Sequence, residues 1–94
     1  IYTPTKKIVD AINRKHPNIP IIGFPKGIKN IKEFVDKTGV NAVSIEDSQN
    51  ILSISKSLNG IPVQGNLSNE ILANGTKEEV ISATQNILNS MQGR

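Results

Sequence analysis

Ile19-Pro20-Ile21-Ile22-Gly23-Phe24, followed at once by Pro25-Lys26-Gly27, is the stretch on which the fold turns. A short unbroken apolar run closed by turn residues is the pattern of a buried parallel strand, and proline is tolerated at a strand entrance. Two further runs of the same kind follow, Ala42-Val43-Ser44-Ile45 and Ile61-Pro62-Val63-Gln64. Strand starts near residues 20, 42 and 61 give a repeat of roughly 20 residues, the size of one βα unit.

The segments between the runs read as helices. Thr3-Pro4 suits an N-cap followed by proline at the first helical position, and Ile8, Ala11 and Ile12 recur at helical spacing until His16-Pro17. Asn30 can cap a second helix, with Glu33 three residues on as a capping-box variant; Ile31, Phe34 and Val35 form its stripe and Gly39 ends it. Asp47 or Ser48 is placed to begin a third helix, with Ile51, Ile54, Ser55 and Leu58 on one face and Asn59-Gly60 as its stop. A short turn or helix is expected around Ser68 to Leu72. Thr76-x-x-Glu79 is then a capping box ahead of the longest helix, with Val80, Thr84, Ile87 and Met91 in line and Ile81 and Leu88 beside them. The predicted class is α/β, in the order α-β-α-β-α-β-α with three parallel strands.

Composition agrees with that class. Hydrophobic residues make up 36% of the 94, and the aromatics are only Tyr2, Phe24 and Phe34, so the core must be built from Ile, Val and Leu. The net charge of +3 comes from basic residues spread along the chain with no dense aromatic-interleaved patch, which argues against nucleic-acid binding. There is no cysteine, so no disulfide or thiolate metal site can form within this sequence. No apolar run approaches the ~20 residues that span a bilayer, and no signal-peptide pattern opens the sequence, so no membrane partner is expected. The sequence opens at Ile1 within an element and stops at Gln92-Gly93-Arg94 straight after a helix, and both ends are expected to be cuts in a longer chain.

In barrels and doubly wound sheets alike, ligands bind beyond the carboxyl ends of the strands. That directs attention to Phe24-Pro25-Lys26-Gly27, Ile45-Glu46-Asp47-Ser48 and Gln64-Gly65-Asn66-Leu67. Lys26 could neutralise a substrate carboxylate, although a lone lysine after a strand is more often a solvated loop charge. Glu46 and Asp47 could form an acid/base pair, but neighbours at a strand end point apart and Asp47 is well placed to cap the next helix. Gln64-Gly65-Asn66 combines a glycine, which lets backbone approach a ligand, with two carboxamides; a plain strand-to-helix turn explains it equally well. His16, the one histidine, reads as a surface residue at a helix end. No phosphate loop, nucleophile elbow or His-Glu-x-x-His metal motif occurs.

At these same strand ends the chain resembles the uroporphyrinogen decarboxylase family. Val63-Gln64-Gly65-Asn66-Leu67 is similar to that family's Gln-Gly-Asn-Leu-Asp-Pro signature, Pro20 to Gly27 to its Pro-x-Ile-x-Phe-x-Lys strand, and Thr38 to Ile45 to the strand that follows. Glu46 stands where the family usually has aspartate, and Ser68-Asn69 replaces Asp-Pro.

The resemblance implies a C-terminal part of a (β/α)8 TIM barrel, a single segment over residues 1–94. It implies a cytoplasmic enzyme of haem biosynthesis, often a homodimer, that converts uroporphyrinogen III to coproporphyrinogen III by removing four acetate carboxylates, with no metal or organic cofactor. In that family the protonated pyrrole is the electron sink, arginines engage substrate carboxylates and a central aspartate receives the pyrrole N–H groups. The arginine-rich motif, that aspartate, the catalytic tyrosine and serine, and the Asn-Leu-Gly-His-Gly segment have no counterparts here. No catalytic residue is therefore assigned, no metal ligand is assigned, and Phe24, Lys26, Gln64, Gly65 and Asn66 are the candidates for lining the substrate cleft. The isolated segment is expected to be inactive and to self-associate through its strand edges. Two alternatives are a related corrinoid-dependent methyltransferase, suggested by Leu72-Ala73-Asn74-Gly75-Thr76-x-Glu78-Glu79-Val80, and a small non-catalytic α/β binding module.

Overall fold

A computed structural model describes residues 2–92, so Ile1, Gly93 and Arg94, invoked above at the two ends, lie outside the described residues. The elements are α1 (Thr3–Lys15), β1 (Ile22–Gly23), α2 (Ile31–Thr38), β2 (Ala42–Ser44), α3 (Ile51–Leu58), β3 (Val63–Gln64), α4 (Asn69–Asn74) and α5 (Lys77–Ser90). The segment around Ser68 to Leu72 is thus a helix, with the Ser68 hydroxyl accepting the Ile71 N–H at 3.3 Å.

The strands lie in the order β1-β2-β3 and every pair is parallel. Register sets Ile22 opposite Ala42, Gly23 opposite Val43, Val43 opposite Val63 and Ser44 opposite Gln64. Along the helix layer α1 packs on α2, α2 on α3 and α3 on α5. Strands that advance one way across a sheet, with their helices in one layer, form an arc of a singly wound α/β barrel.

Between sheet and helices lies one core of Val9, Ile31, Phe34, Val35, Val40, Val43, Ile45, Ile51 and Leu58. Val43 sits at its centre with no exposed surface, and burying such a side chain contributes about 1.5–3 kcal/mol. Tyr2 meets Phe34 edge to face at 6.2 Å between ring centroids. Gly23 is the strand residue beneath that ring, and a Cβ there would lie 2.8 Å from Phe34 Cε1.

The first strand is not buried on both faces. Ile22 and Phe24 are 58% and 56% exposed, because helices cover only one side of the sheet and residues two apart share the other, and Ile19, ahead of the strand, is 52% exposed. On α1 the buried residue is Val9 and Ile8 is exposed, one position from the expected stripe. On α5 the inward line is Val80, Ala83 and Ile87, continued by the C-cap Met91, all partly buried, while Thr84, Ile81 and Leu88 face outward.

Several helix starts follow the expectation and two do not. Asn30 caps α2, its Oδ1 accepting the Glu33 N–H at 3.0 Å, and Gly39 closes it at φ 79. The Thr76/Glu79 box of α5 is complete. Helix α1, however, begins at Thr3 itself with Tyr2 before it and Pro4 at the second position. The Tyr2 carbonyl accepts the Lys6 N–H at 2.9 Å, and proline fits anywhere in a first turn whose N–H groups lack partners. Helix α3 is capped by Asn50, whose Oδ1 accepts the Ser53 N–H at 3.0 Å, and not by Asp47 or Ser48. Residues 47–49 are used instead in a turn closed by the Gln49 N–H to Glu46 O at 3.2 Å. Among the described residues no helix is long and apolar enough to cross a membrane.

Candidate functional site

The three strand exits lie side by side because the strands are parallel and in register, and their loops are tied by side-chain hydrogen bonds. After β1, the Pro25 carbonyl accepts the Ile28 N–H at 3.2 Å, with Gly27 at φ 77. This is a four-residue turn that carries Lys26 at its exposed corner. The Gly27 N–H is donated out of the turn to Glu46 Oε2 at 2.7 Å.

After β3, Gly65 adopts φ 120 and is joined to Asn66 by a cis peptide bond. A Cβ on Gly65 would stand 3.0 Å from the Ile45 carbonyl oxygen, so the glycine allows the third exit to lie against the second. Asn66 then donates both carboxamide hydrogens to the β2 exit, to Glu46 O at 2.8 Å and Gln49 O at 2.6 Å. Gln49 Nε2 reaches back to Ile28 O at 3.1 Å, while Gln49 Oε1 is buried without a hydrogen-bond partner among the described residues.

The adjacent carboxylates therefore point to different neighbours. Glu46 binds the first exit, and Asp47 Oδ2 accepts the Asn69 N–H at 3.3 Å at the start of α4. Asp47 does meet a helix N-terminus, but that of the helix after β3, because the Asn66 contacts fold the third exit over the second.

Of the five candidates, Gly65 and Asn66 are drawn into this tied network. Phe24, Lys26 and Gln64 are exposed on its rim, Phe24 two residues from Ile22 and Gln64 opposite Ser44 in the register. A groove of about 360 Å³ beside the network is lined by Asp47, Gln49, Asn66, Ser68, Asn86 and Ser90 among others. His16 is exposed at the end of α1, its backbone N–H bonded to Ile12 O at 2.7 Å. Among the described residues no group of three or more His, Cys, Asp or Glu could hold a metal ion.

Sequence reasoning missed Gln49, which links the second exit to the first. The available signal was a carboxamide directly after the Glu46-Asp47-Ser48 exit, matching Asn66 after the third. Chemically, the arrangement offers one ammonium, one aromatic face and one carboxamide on a rim whose backbone is held by three loops at once.

Residues 1–94 match the family described as Uroporphyrinogen decarboxylase (URO-D). The chain is 46% identical over 89 residues to a protein named Uroporphyrinogen decarboxylase from Wolbachia sp. subsp. Brugia malayi (strain TRS), covering 94% of this chain and 25% of that protein. It is 36% identical over 100 residues to the protein of that name from Gluconobacter oxydans (strain 621H), covering 100% of this chain and 28% of that protein. For the protein of that name from Wolbachia sp. subsp. Drosophila simulans (strain wRi) the identity is 40% over 84 residues, 88% of this chain and 25% of the relative. The chain thus spans about a quarter of the length of the curated relatives it matches. No solved structure matches it significantly.

Proposed function

The chain belongs to the uroporphyrinogen decarboxylase family, and from that premise we propose that it supplies part of the barrel wall and cleft rim of an enzyme converting uroporphyrinogen III to coproporphyrinogen III. The reaction removes the carboxylates of four acetate side chains in haem biosynthesis, in the cytoplasm and without a metal or organic cofactor. The observation that carries this reading is the family match along residues 1–94, which includes all three strand exits.

The rim chemistry supports it. Lys26, exposed at a turn corner, is the cation that meets a substrate carboxylate. Phe24, exposed beside it, offers a face for a pyrrole ring, and Gln64 offers a carboxamide donor and acceptor. Gly65 admits close approach of backbone, and Asn66 holds the rim through its two donated hydrogen bonds. Residues elsewhere in the whole protein perform the decarboxylation, and the isolated 94 residues are inactive. Incubating the whole protein with uroporphyrinogen should yield coproporphyrinogen, and incubating the isolated segment should not.

The whole protein is proposed to be a homodimer. The isolated segment self-associates, because the outer edges of β1 and β3 carry backbone groups that pairing would satisfy. Light scattering over a concentration series tests this: a rising mass is expected, and a constant monomer mass contradicts it.

A further inference from the structure

We propose that Glu46 is a positioning residue of this cleft: its carboxylate holds the β1 exit turn, and thereby sets where Lys26 stands. The proposal rests on the reading of Lys26 as a substrate-facing cation. In the turn from Pro25 to Ile28, the i to i+3 bond uses the Pro25 carbonyl and the Ile28 N–H, leaving the Gly27 N–H outside the turn. Glu46 Oε2 receives it at 2.7 Å, a charge-assisted bond of the stronger kind. Among the described residues only one other side chain is bonded to this exit, Gln49 to Ile28 O, past the corner.

Glu46 is itself anchored. Its carbonyl accepts Asn66 Nδ2 at 2.8 Å, and the preceding Ile45 N–H is bonded to Gln64 O at 3.0 Å in the pairing of β2 with β3. The acceptor is therefore tied to the sheet at the β2 exit, and the turn carrying Lys26 is bonded to it. A carboxylate on the rim of a cleft for a polycarboxylate would by its charge alone repel the substrate. Its use here is as a hydrogen-bond acceptor of the right reach, which a glutamine carboxamide retains as a weaker neutral bond and an alanine loses.

The test compares Glu46→Ala and Glu46→Gln in the whole protein, by steady-state decarboxylation of uroporphyrinogen and by amide hydrogen exchange of residues 24–28. Glu46→Ala is expected to raise KM about tenfold with kcat within about twofold, and to speed exchange in the turn about tenfold, the effects of losing one charge-assisted bond. Glu46→Gln is expected to restore both to within about threefold of the parent. If Glu46→Gln is as damaging as Glu46→Ala, Glu46 acts through its charge and the proposal is overturned. Unchanged exchange in Glu46→Ala overturns it too. Should Glu46→Ala not fold, Glu46→Gln decides alone: near-parental KM and exchange support the proposal, and loss of either refutes it. Absence of turnover by the parent protein refutes the decarboxylase reading, while the exchange comparison still tests the tie between Glu46 and the turn.

Discussion

Asn66 donates both hydrogens of its carboxamide to carbonyls of one neighbouring loop, Glu46 O at 2.8 Å and Gln49 O at 2.6 Å. The third strand exit is thereby fastened to the second, and the second is fastened to the first through Glu46 and Gln49. A rim assembled this way behaves as one unit, so a change at one strand exit is felt at the others.

Asn66→Ala leaves two carbonyls without their donor and is expected to destabilise the whole protein by about 2–3 kcal/mol in urea unfolding. Asn66→Asp should be worse, because it sets carboxylate oxygens against two carbonyl oxygens at neutral pH. An aspartate variant more stable than the alanine variant would contradict this account of the network.

Gly65→Ala places a methyl group 3.0 Å from the Ile45 carbonyl oxygen at φ 120, where an L side chain is strained. A loss of about 2 kcal/mol or more is expected from strain and the close contact together. Thermal unfolding at matched pH measures it, and an unchanged midpoint would show that the two exits can separate.

Gly23→Ala drives a Cβ to 2.8 Å from the buried Phe34 ring and to 3.1 Å from Val40 Cγ1. Overpacking of this kind costs about 1–3 kcal/mol. Phe34→Leu should offset part of the loss when combined with Gly23→Ala, giving a non-additive double-mutant cycle. Strict additivity would place the clash elsewhere.

The Glu79 carboxyl is held below its ordinary value of 4.5, first by the Thr76 backbone N–H and then by the Thr76 hydroxyl. A carboxyl with a lowered folded-state value stabilises fully above its unfolded value and loses that contribution as pH falls through the folded value. The Tm advantage of the parent over Glu79→Gln should therefore be present at pH 7 and shrink below about pH 4.5. A gap that stays constant from pH 7 to pH 3 would contradict it.

These contacts also show what a sequence can disclose here. The order of elements was legible because each strand run is short, apolar and closed by a turn, and because Asn30 and Thr76 are followed three residues later by the glutamates of helix-start signals. The starts of α1 and α3 were not. Local patterning offers Asp47 and Ser48 as caps, yet the cap is Asn50, because residues 46–49 form a turn bonded to Gly27, Asn66 and Asn69 across the sheet.

The bare face of β1 was hidden for a similar reason. An apolar run does not say whether its second face meets a helix layer or the inside of a barrel. The candidate rim was legible as three strand exits, but the division between the exposed Phe24, Lys26 and Gln64 and the tied Asn66 depends on contacts of residues 17 to 22 positions apart in sequence.

The central claim, that these strand exits belong to a porphyrinogen-decarboxylating barrel, is tested most directly by incubating the whole protein anaerobically with uroporphyrinogen III and resolving the products by chromatography. Stepwise loss of four carboxyl groups, ending at coproporphyrinogen, is the predicted result, with KM raised about tenfold by Lys26→Ala as one substrate-facing charge is lost. No loss of carboxyl groups from uroporphyrinogen by folded whole protein would contradict it.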